Sequence, residues 1–515
     1  MLLVSIALAA PPDLHDELLA RFESESGHGG CLTGLVMDLK DNWRIFSPAE
    51  QVRITSILGP LKREVAAAEA FAPPVANLGS DTCYGQWGEN RVTGDHFVVE
   101  WDDGTVSESV AQDFLDAIEY GYEVEVEQEG WNAPEGDDRY LMMVYIQDQD
   151  MGGAYTTVDS CGGRYIPYIV AGRDAVQMGT WTEEMAAHEL NHALQFSYSF
   201  ASEFWWWEAT ATYIEEIVLP ETNGWSDYVA GYTYNPHLEM AGYGDGGDAF
   251  WHMYGMAIWA FYLHDYQGGT DAVRETWENA SGERGQYTYG AGDMVRDLGL
   301  DWQETYVDFI TRNVSMDYDQ HRFFPGISVV ESVRSFPASG ESVRATRPEG
   351  YGQNYIQIHG GGGDGNDDLH LVFSGDDDVE WAVVLAETDG EAVLRSEHVI
   401  SEDGVAELTL PDYGDDDVFL VVSPLEEDDD SHTYAWELEL VEGDAVDTGD
   451  DDTDDANLGD DTDDDGLSDE LPARPVGGDT IQAGAGGCGC ASPGPAAPLA
   501  GWLLGLSVLA VRRRK

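Results

Sequence analysis

The sequence predicts an α+β chain in which a mixed sheet with helices is followed by an all-β sandwich region. Apolar runs at 96–101, 141–146 and 165–170 have strand length and strand residue types, and they precede a stretch from 180 to about 313 whose apolar spacing is helical. Beyond about residue 324 the texture turns to short β runs at 354–358, 369–373, 381–385, 405–410, 418–422 and 434–440, separated by Gly/Asp turns. That spacing is the pattern of a β-sandwich. Aromatics at 11%, with 16 Trp and 25 Tyr, exceed what a disordered acidic chain carries, so most of the chain folds.

Taken in order, residues 1–11 read as a signal peptide-like stretch, with a small-residue Ala7-Leu8-Ala9 site and Pro11 just beyond. Residues 12–80 form a helical region or a removable pro-segment. Within them Ser47-Pro48-Ala49-Glu50 is a capping box with Pro at the first helical position, and Ile54, Ile57 and Leu61 follow at helical spacing. Residues 81–323 contain the early strands, an acidic helix over 107–128 and the helical stretch; residues 324–443 are the sandwich. An Asp/Gly/Thr-rich segment at 444–487 reads as a disordered linker, and 488–515 as a C-terminal sorting or anchor tail.

The formal charge is −75, from 99 Asp+Glu against 24 Lys+Arg. Such a field repels phosphate backbones and anionic lipid, so nucleic acid is excluded as an expected partner. Five cysteines include Cys488 and Cys490 in the tail, leaving Cys31, Cys83 and Cys161 in the body. For an exported chain that arithmetic gives one disulfide and one free thiol, with three pairings open.

The chemistry lies in His188-Glu189-Leu190-Asn191-His192, an H-E-x-x-H motif. Two histidines four apart on a helix share one face and can hold one zinc ion, while the intervening Glu reaches a water on the metal. Thr180-Trp181-Thr182-Glu183 reads as a capping box that starts this helix, and Met185, Ala186, Leu190, Ala193 and Leu194 give it an apolar side. The longer motif with a third His is excluded, because Gln195 stands where its Gly belongs and Tyr198 where its His belongs. A carboxylate must complete the set, and on spacing Glu208, Glu215 and Glu216 all compete.

With the segment Phe204-Trp205-Trp206-Trp207-Glu208-Ala209-Thr210-Ala211-Thr212-Tyr213-Ile214-Glu215-Glu216 added, the sequence resembles the gluzincin metallopeptidases, whose third ligand is a Glu on the helix after H-E-x-x-H. It is similar in particular to the aminopeptidase-like members and to secreted metallopeptidases of myxobacteria. The resemblance implies a zincin-like fold for 81–323, zinc held by His188, His192 and Glu208, and Glu189 as general base. Thermolysin-type members carry an Asp four residues after the Glu ligand as support to a histidine; here that position is Thr212, and the resemblance to the aminopeptidase-like branch implies that Glu215, one further turn along, replaces it. The oxyanion stabiliser of these enzymes is a downstream Tyr or His, which points to Tyr254 in Trp251-His252-Met253-Tyr254-Gly255.

The C-terminus, Cys488-Gly489-Cys490 followed by a short apolar run and Arg512-Arg513-Arg514-Lys515, resembles the myxobacterial sorting tail. It implies a sorting protease as partner and a mature protein held at the cell surface or outer membrane. Asp461, Asp463, Asp465 and Asp469 around Gly466 resemble one thrombospondin type 3 calcium repeat, with a solvated spacer as the alternative; Pro472 at the twelfth position excludes an EF-hand. Two functions are consistent with the whole. One is a surface-anchored zinc peptidase acting on a protein or peptide, with Ca2+ as a second candidate ion; the other is a non-catalytic surface adhesion protein on a zincin scaffold.

Overall fold

The computed structural model describes residues 12–25, 31–58, 82–242, 248–280, 288–361, 367–427 and 430–443, all within one compact unit, Met1–Val446. A second unit, Asp447–Lys515, lies outside the described residues, as does the signal-like stretch 1–11. The candidate calcium carboxylates Asp461, Asp463, Asp465 and Asp469 and the tail cysteines Cys488 and Cys490 fall there too. The described residues are mixed α+β, with three sheets and a layer of helices.

The first sheet contains β1 (Asn90–Thr93), β2 (Phe97–Trp101), β3 (Met142–Gln147), β4 (Ala154–Cys161) and β5 (Arg164–Gly172) in the order β1-β2-β3-β5-β4. The pairs β2–β3 and β3–β5 are parallel, with Phe97 opposite Met142 and Met143 opposite Tyr168. Edge strand β4 is antiparallel to β5, and the two are joined at Gly162-Gly163, whose φ values of 64° and 87° suit a two-residue hairpin turn. Sequence periodicity missed β4, because its central Thr156 and Thr157 are buried polar residues that break the apolar signal.

Alternate side chains of this sheet face two different cores, as the two-residue strand period requires. Phe97, Val99, Val144, Ile146, Ile169 and Ala171 face the main helical layer, starting with α4 (Glu108–Tyr122). Val98, Met143, Tyr155, Tyr168 and Val170 face the N-terminal helices α1 (Pro12–Glu25), α2 (Thr33–Asp41) and α3 (Pro48–Leu58), which contribute Leu18, Phe22, Leu35, Leu39 and Ile54. The capping box of α3 forms: Ser47 N donates to Glu50 Oε2 at 2.7 Å and Glu50 N to Ser47 Oγ at 3.4 Å. Buried Lys40 ties α2 to β4 through Asp159 Oδ1 (2.7 Å), Val158 O (3.0 Å) and Thr157 Oγ1 (3.2 Å). A disulfide links Cys83 to Cys161 at the end of β4, leaving Cys31 as a free, buried thiol.

The helical layer runs through α5 (Thr180–Gln195), α6 (Phe204–Val218), α7 (Trp225–Tyr234), α8 (Asp248–Gly255), α9 (Ala257–Gln267), α10 (Thr270–Asn279), α11 (Ala291–Asp297) and α12 (Trp302–Arg312). Trp205, Trp206 and Trp207 are fully buried, and each indole N–H has an acceptor: Glu203 Oε2, Thr276 Oγ1 and Ser202 O. The predicted cap of α5 at Thr180/Glu183 does not form. Thr180 is already helical, Gly179 precedes it without a side-chain cap, and Thr182 Oγ1 instead accepts from Met178 N and donates to Ala175 O.

Two further sheets follow, β11-β10-β13-β8-β6 and β12-β9-β14-β7. Their strands are β6 (Glu331–Val333), β7 (Ala338–Glu341), β8 (Asn354–Ile358), β9 (Asp367–Gly375), β10 (Trp381–Thr388), β11 (Val393–Ser401), β12 (Val405–Tyr413), β13 (Asp417–Pro424) and β14 (Tyr434–Glu442). Phe373, Trp381, Leu385, Leu420 and Trp436 share one core supplied by both sheets. The predicted boundary at 323/324 is not a solvated linker: Tyr355, Ala382, Val384, Ala386 and Val421 are buried in the same core as the helices.

Helices α7 and α8 approach backbone to backbone. A Cβ on Gly231 would stand 2.0 Å from the Trp251 carbonyl oxygen, and one on Gly255 would stand 2.3 Å from Tyr232 N. Alanine at a helix position gains about 1 kcal/mol over glycine, whereas overpacking against an unyielding backbone costs about 1–3 kcal/mol or more. The clash wins, so Gly231→Ala lowers the urea midpoint with an unchanged m value, measured by equilibrium unfolding.

Candidate metal centre

Helix α5 is buried from Met185 through Gln195, so the motif histidines are aimed into protein on all sides. His188 and His192 stand one turn apart, and α6 packs beside them to bring in Glu208. Glu208 Oε2 lies 3.2 Å from His188 Nε2 and 3.5 Å from His192 Nε2. A fourth donor comes from outside both helices: Cys31 Sγ lies 3.2 Å from His192 Nε2. The donor atoms of Cys31, His188, His192 and Glu208 all fall within 4.8 Å of one another.

These separations fit a metal. A tetrahedral zinc with bonds of about 2.0–2.3 Å has ligand-to-ligand edges of about 3.3–3.7 Å, and two imidazole nitrogens, a carboxylate and a sulfur are a zinc donor set. The supporting contacts fit as well. His188 Nδ1 is 2.9 Å from Glu215 Oε1, and His192 Nδ1 is 2.8 Å from Gln195 Oε1. Gln195 Nε2 donates to Trp207 O and to Asn191 Oδ1, which sets its amide so that Oε1 faces His192. Asn191 Nδ2 in turn donates to buried Glu125 at 2.9 Å. The hydrogen therefore sits on Nδ1 of His192, and Nε2 presents its lone pair to the centre.

Electrostatics follow from burial and pairing. Burial opposes charge on Glu208, but His192 and His188 outweigh it and bring its carboxyl down to about 2. Burial likewise opposes charge on His188, and Glu208 with Glu215 overcomes it, raising the imidazole to about 10. Burial raises Glu189 above the ordinary carboxylate range, opposed by His192, His188 and Thr156. Thr156 Oγ1 on β4 bonds Glu189 Oε2 at 2.7 Å, while Glu189 Oε1 has no hydrogen-bond partner among the described residues. A buried carboxylate oxygen next to a donor set is suited to take a proton from a water there.

Tyr254, on α8, is buried with its ring stacked 6.2 Å from that of His188, and its hydroxyl donates to the Cys31 carbonyl at 3.0 Å. A small pocket lies beside the centre, walled by Trp181, Met185, Tyr228 and Tyr254, with Glu184 in its lining. The structure thus brings together His188, Glu189, His192, Glu208, Glu215 and Tyr254. Glu216, a competitor on spacing, is turned away and accepts from Trp225 Nε1 (2.6 Å) and Gln320 Nε2 (2.9 Å). Sequence reasoning missed Cys31, Thr33 and Thr156. Cys31 lies 161 positions from His192 and carried only a disulfide signal, and the two threonines belong to no motif.

Residues 64–437 match the family described as "Family of unknown function (DUF6055)". The chain belongs to this family. No curated protein matches it. Among solved structures, the pre-peptidase C-terminal domain of collagenase from Bacillus anthracis is 10% identical, covering 21% of this chain and 94% of that one, with a TM-score of 0.15. PliG of Aeromonas hydrophila, a periplasmic inhibitor of g-type lysozyme, is 11% identical, covering 22% and 100%, also with a TM-score of 0.15. Likenesses that slight carry no argument about this chain. Among the described residues no helix is long and apolar enough to cross a membrane.

Glu215→Gln keeps a hydrogen-bond acceptor but loses the charge behind His188, so zinc added to the centre would bind about 10- to 100-fold more weakly in the variant than in the parent, measured by chelator competition. Burial raises Glu216 from about 4.5 to about 7, so the folded protein binds the extra proton and loses stability as pH rises through that window. The melting temperature of Glu216→Gln relative to the parent therefore rises between pH 5 and pH 8.

Proposed function

We propose that the chain is a zinc-dependent metallopeptidase. The observation that carries this reading is the convergence of His188 Nε2, His192 Nε2 and Glu208 Oε2 at ligand spacing, beside a buried Glu189 with one unpartnered oxygen. The mixed sheet with an antiparallel edge strand along the H-E-x-x-H helix supports a zincin-like fold, and the two-sheet core after residue 324 supports a β-sandwich.

Zinc held by His188, His192 and Glu208 would supply Lewis acidity, lowering the pKa of a water and polarising a peptide carbonyl. Glu189 accepts the proton of the attacking water and returns it to the departing amine, while Thr156 holds its other oxygen in place. Tyr254 donates a hydrogen bond to the substrate carbonyl oxygen, as its hydroxyl does to the Cys31 carbonyl. Edge strand β4 offers backbone groups to an extended peptide laid along it, as Ala154 O already accepts from Leu32 N at 2.9 Å. The sequences of the two termini support an exported protein held at the cell surface after a sorting protease cuts its tail.

A second reading has an observation of its own: Cys31 makes the donor set four-membered, and closed four-ligand sites are the structural kind. A non-catalytic surface protein on the same scaffold would keep the metal and do without the base. Zinc content and hydrolysis of a mixed peptide library, measured for the full chain and Glu189→Gln, separate the two. We expect about one zinc per chain in both, and a loss of about a hundred- to ten-thousandfold in hydrolysis with the variant. Equal and measurable rates in the two proteins would remove Glu189 from the mechanism.

A further inference from the structure

We infer that Cys31 is the fourth ligand of this centre and that residues 31–33 hold the site shut, as an internal occupant of the places a peptide substrate would use. The inference rests on the metal-centre reading above and adds its regulation.

Residues 31–33 engage four different parts of the site at once. Cys31 Sγ stands at the position left open by the three-ligand set, 3.2 Å from His192 Nε2, and is held there by Thr33, whose N–H points to the sulfur at 3.4 Å. The Cys31 carbonyl takes the Tyr254 hydroxyl at 3.0 Å. Thr33 Oγ1 lies 3.5 Å from Glu189 Oε2 and accepts from Thr156 N at 2.8 Å. Leu32 N donates to Ala154 O, and Cys31 bridges Ala154 in parallel sense on the free edge of β4. Metal position, base, carbonyl-binding hydroxyl and edge strand are thus all taken by three consecutive residues. A structural zinc ligand would need only the first of these contacts.

The occupant is tethered. Leu32 is buried with Leu35 and Leu39 against Tyr155, Tyr168 and Val170, and Lys40 pins α2 to Asp159. A ligand held this way presents itself at about millimolar effective concentration, which a micromolar peptide does not displace. Release is correspondingly local. Stripping α1–α3 from the sheet would expose Val98, Met143, Tyr155, Tyr168 and Val170, whereas lifting residues 31–33 exposes Leu32 and frays the first turn of α2. Residues 31–33 lie outside the family match at 64–437. With metal bound, the Cys31 thiol would give its proton to solvent on closing, and on opening the sulfur would take a proton back as water replaced it, so no oxidant or reductant is needed.

The test compares the full chain with Cys31→Ser and Cys31→Ala, each loaded with Co2+ and, separately, with Zn2+. We expect about one metal per chain in all three proteins. The cobalt parent shows a near-ultraviolet thiolate-to-metal charge-transfer band that both variants lack, which also assigns the band to Cys31 rather than to Cys488 or Cys490. The zinc variants hydrolyse a mixed peptide library at least about tenfold faster than the parent, because the competent fraction is no longer limited by the occupant. Adding Glu189→Gln to Cys31→Ser removes that gain. Stoichiometric cobalt without the band in the parent, together with equal rates in the three proteins, overturns the inference and leaves the peptidase reading standing. A band with no hydrolysis by any variant keeps Cys31 as ligand and removes the peptidase reading. Metal well below stoichiometric in all three overturns both.

Discussion

Burying charge between α5 and α6 is the constraint around which the rest of the centre is arranged. His188, Glu189, His192 and Glu208 are 5%, 0%, 0% and 1% exposed. Taking an ion out of water costs several kcal/mol even after relaxation, so such a group persists only where partners return that energy. Each of these side chains has such partners. Glu215 stands behind His188, Gln195 behind His192, both imidazoles beside Glu208, and Thr156 against Glu189. The amide chain from Gln195 through Asn191 to Glu125 holds one ring nitrogen of His192 in one orientation and, through Trp207 O, ties α5 to α6. The Trp-rich start of α6 packs beside this network without adding unpaired polar groups, since each of its three buried indole N–H groups has an acceptor.

The first sheet links this centre to the N-terminal helices because its two faces serve different layers. Side chains on one face of β2, β3 and β5 meet the motif helices, and those on the other meet α1–α3. Edge strand β4 lies where the two influences join: its Thr156 touches Glu189, and its Ala154 receives the segment carrying Cys31. The same residues therefore contact both that edge and the candidate metal centre.

The β-rich half is bound to the helices more closely than an independent module would be. Along β10, Val383 and Leu385 enter the core between the two later sheets, while Ala382, Val384 and Ala386 enter the helical core. A buried hydrogen-bond chain reinforces the junction, from Asn313 Nδ2 to Tyr232 OH, from Tyr232 OH to Gln353 Oε1, and from Gln353 Nε2 to Tyr306 OH, which also meets Ser423 Oγ. This packing supports α7 and α8 from behind, and α8 carries Tyr254.

Local patterns determined a good part of this. The four-residue spacing of His188 and His192, the Glu between them and the strand run at 354–358 are visible in sequence because each depends on a single element's period. The resemblance to a known family singled out Glu208 from its neighbours, and the structure shows the geometric difference: Glu208 faces both histidines, Glu215 backs one of them, and Glu216 faces Trp225. Tertiary structure alone decided the rest. Strand β4 was hidden because burial on both sides placed threonines where alternation would demand apolar residues. Cys31 was read only as one of three thiols for a disulfide; its place at the centre arises from chain folded back across 161 positions, and no periodicity encodes a contact over that separation.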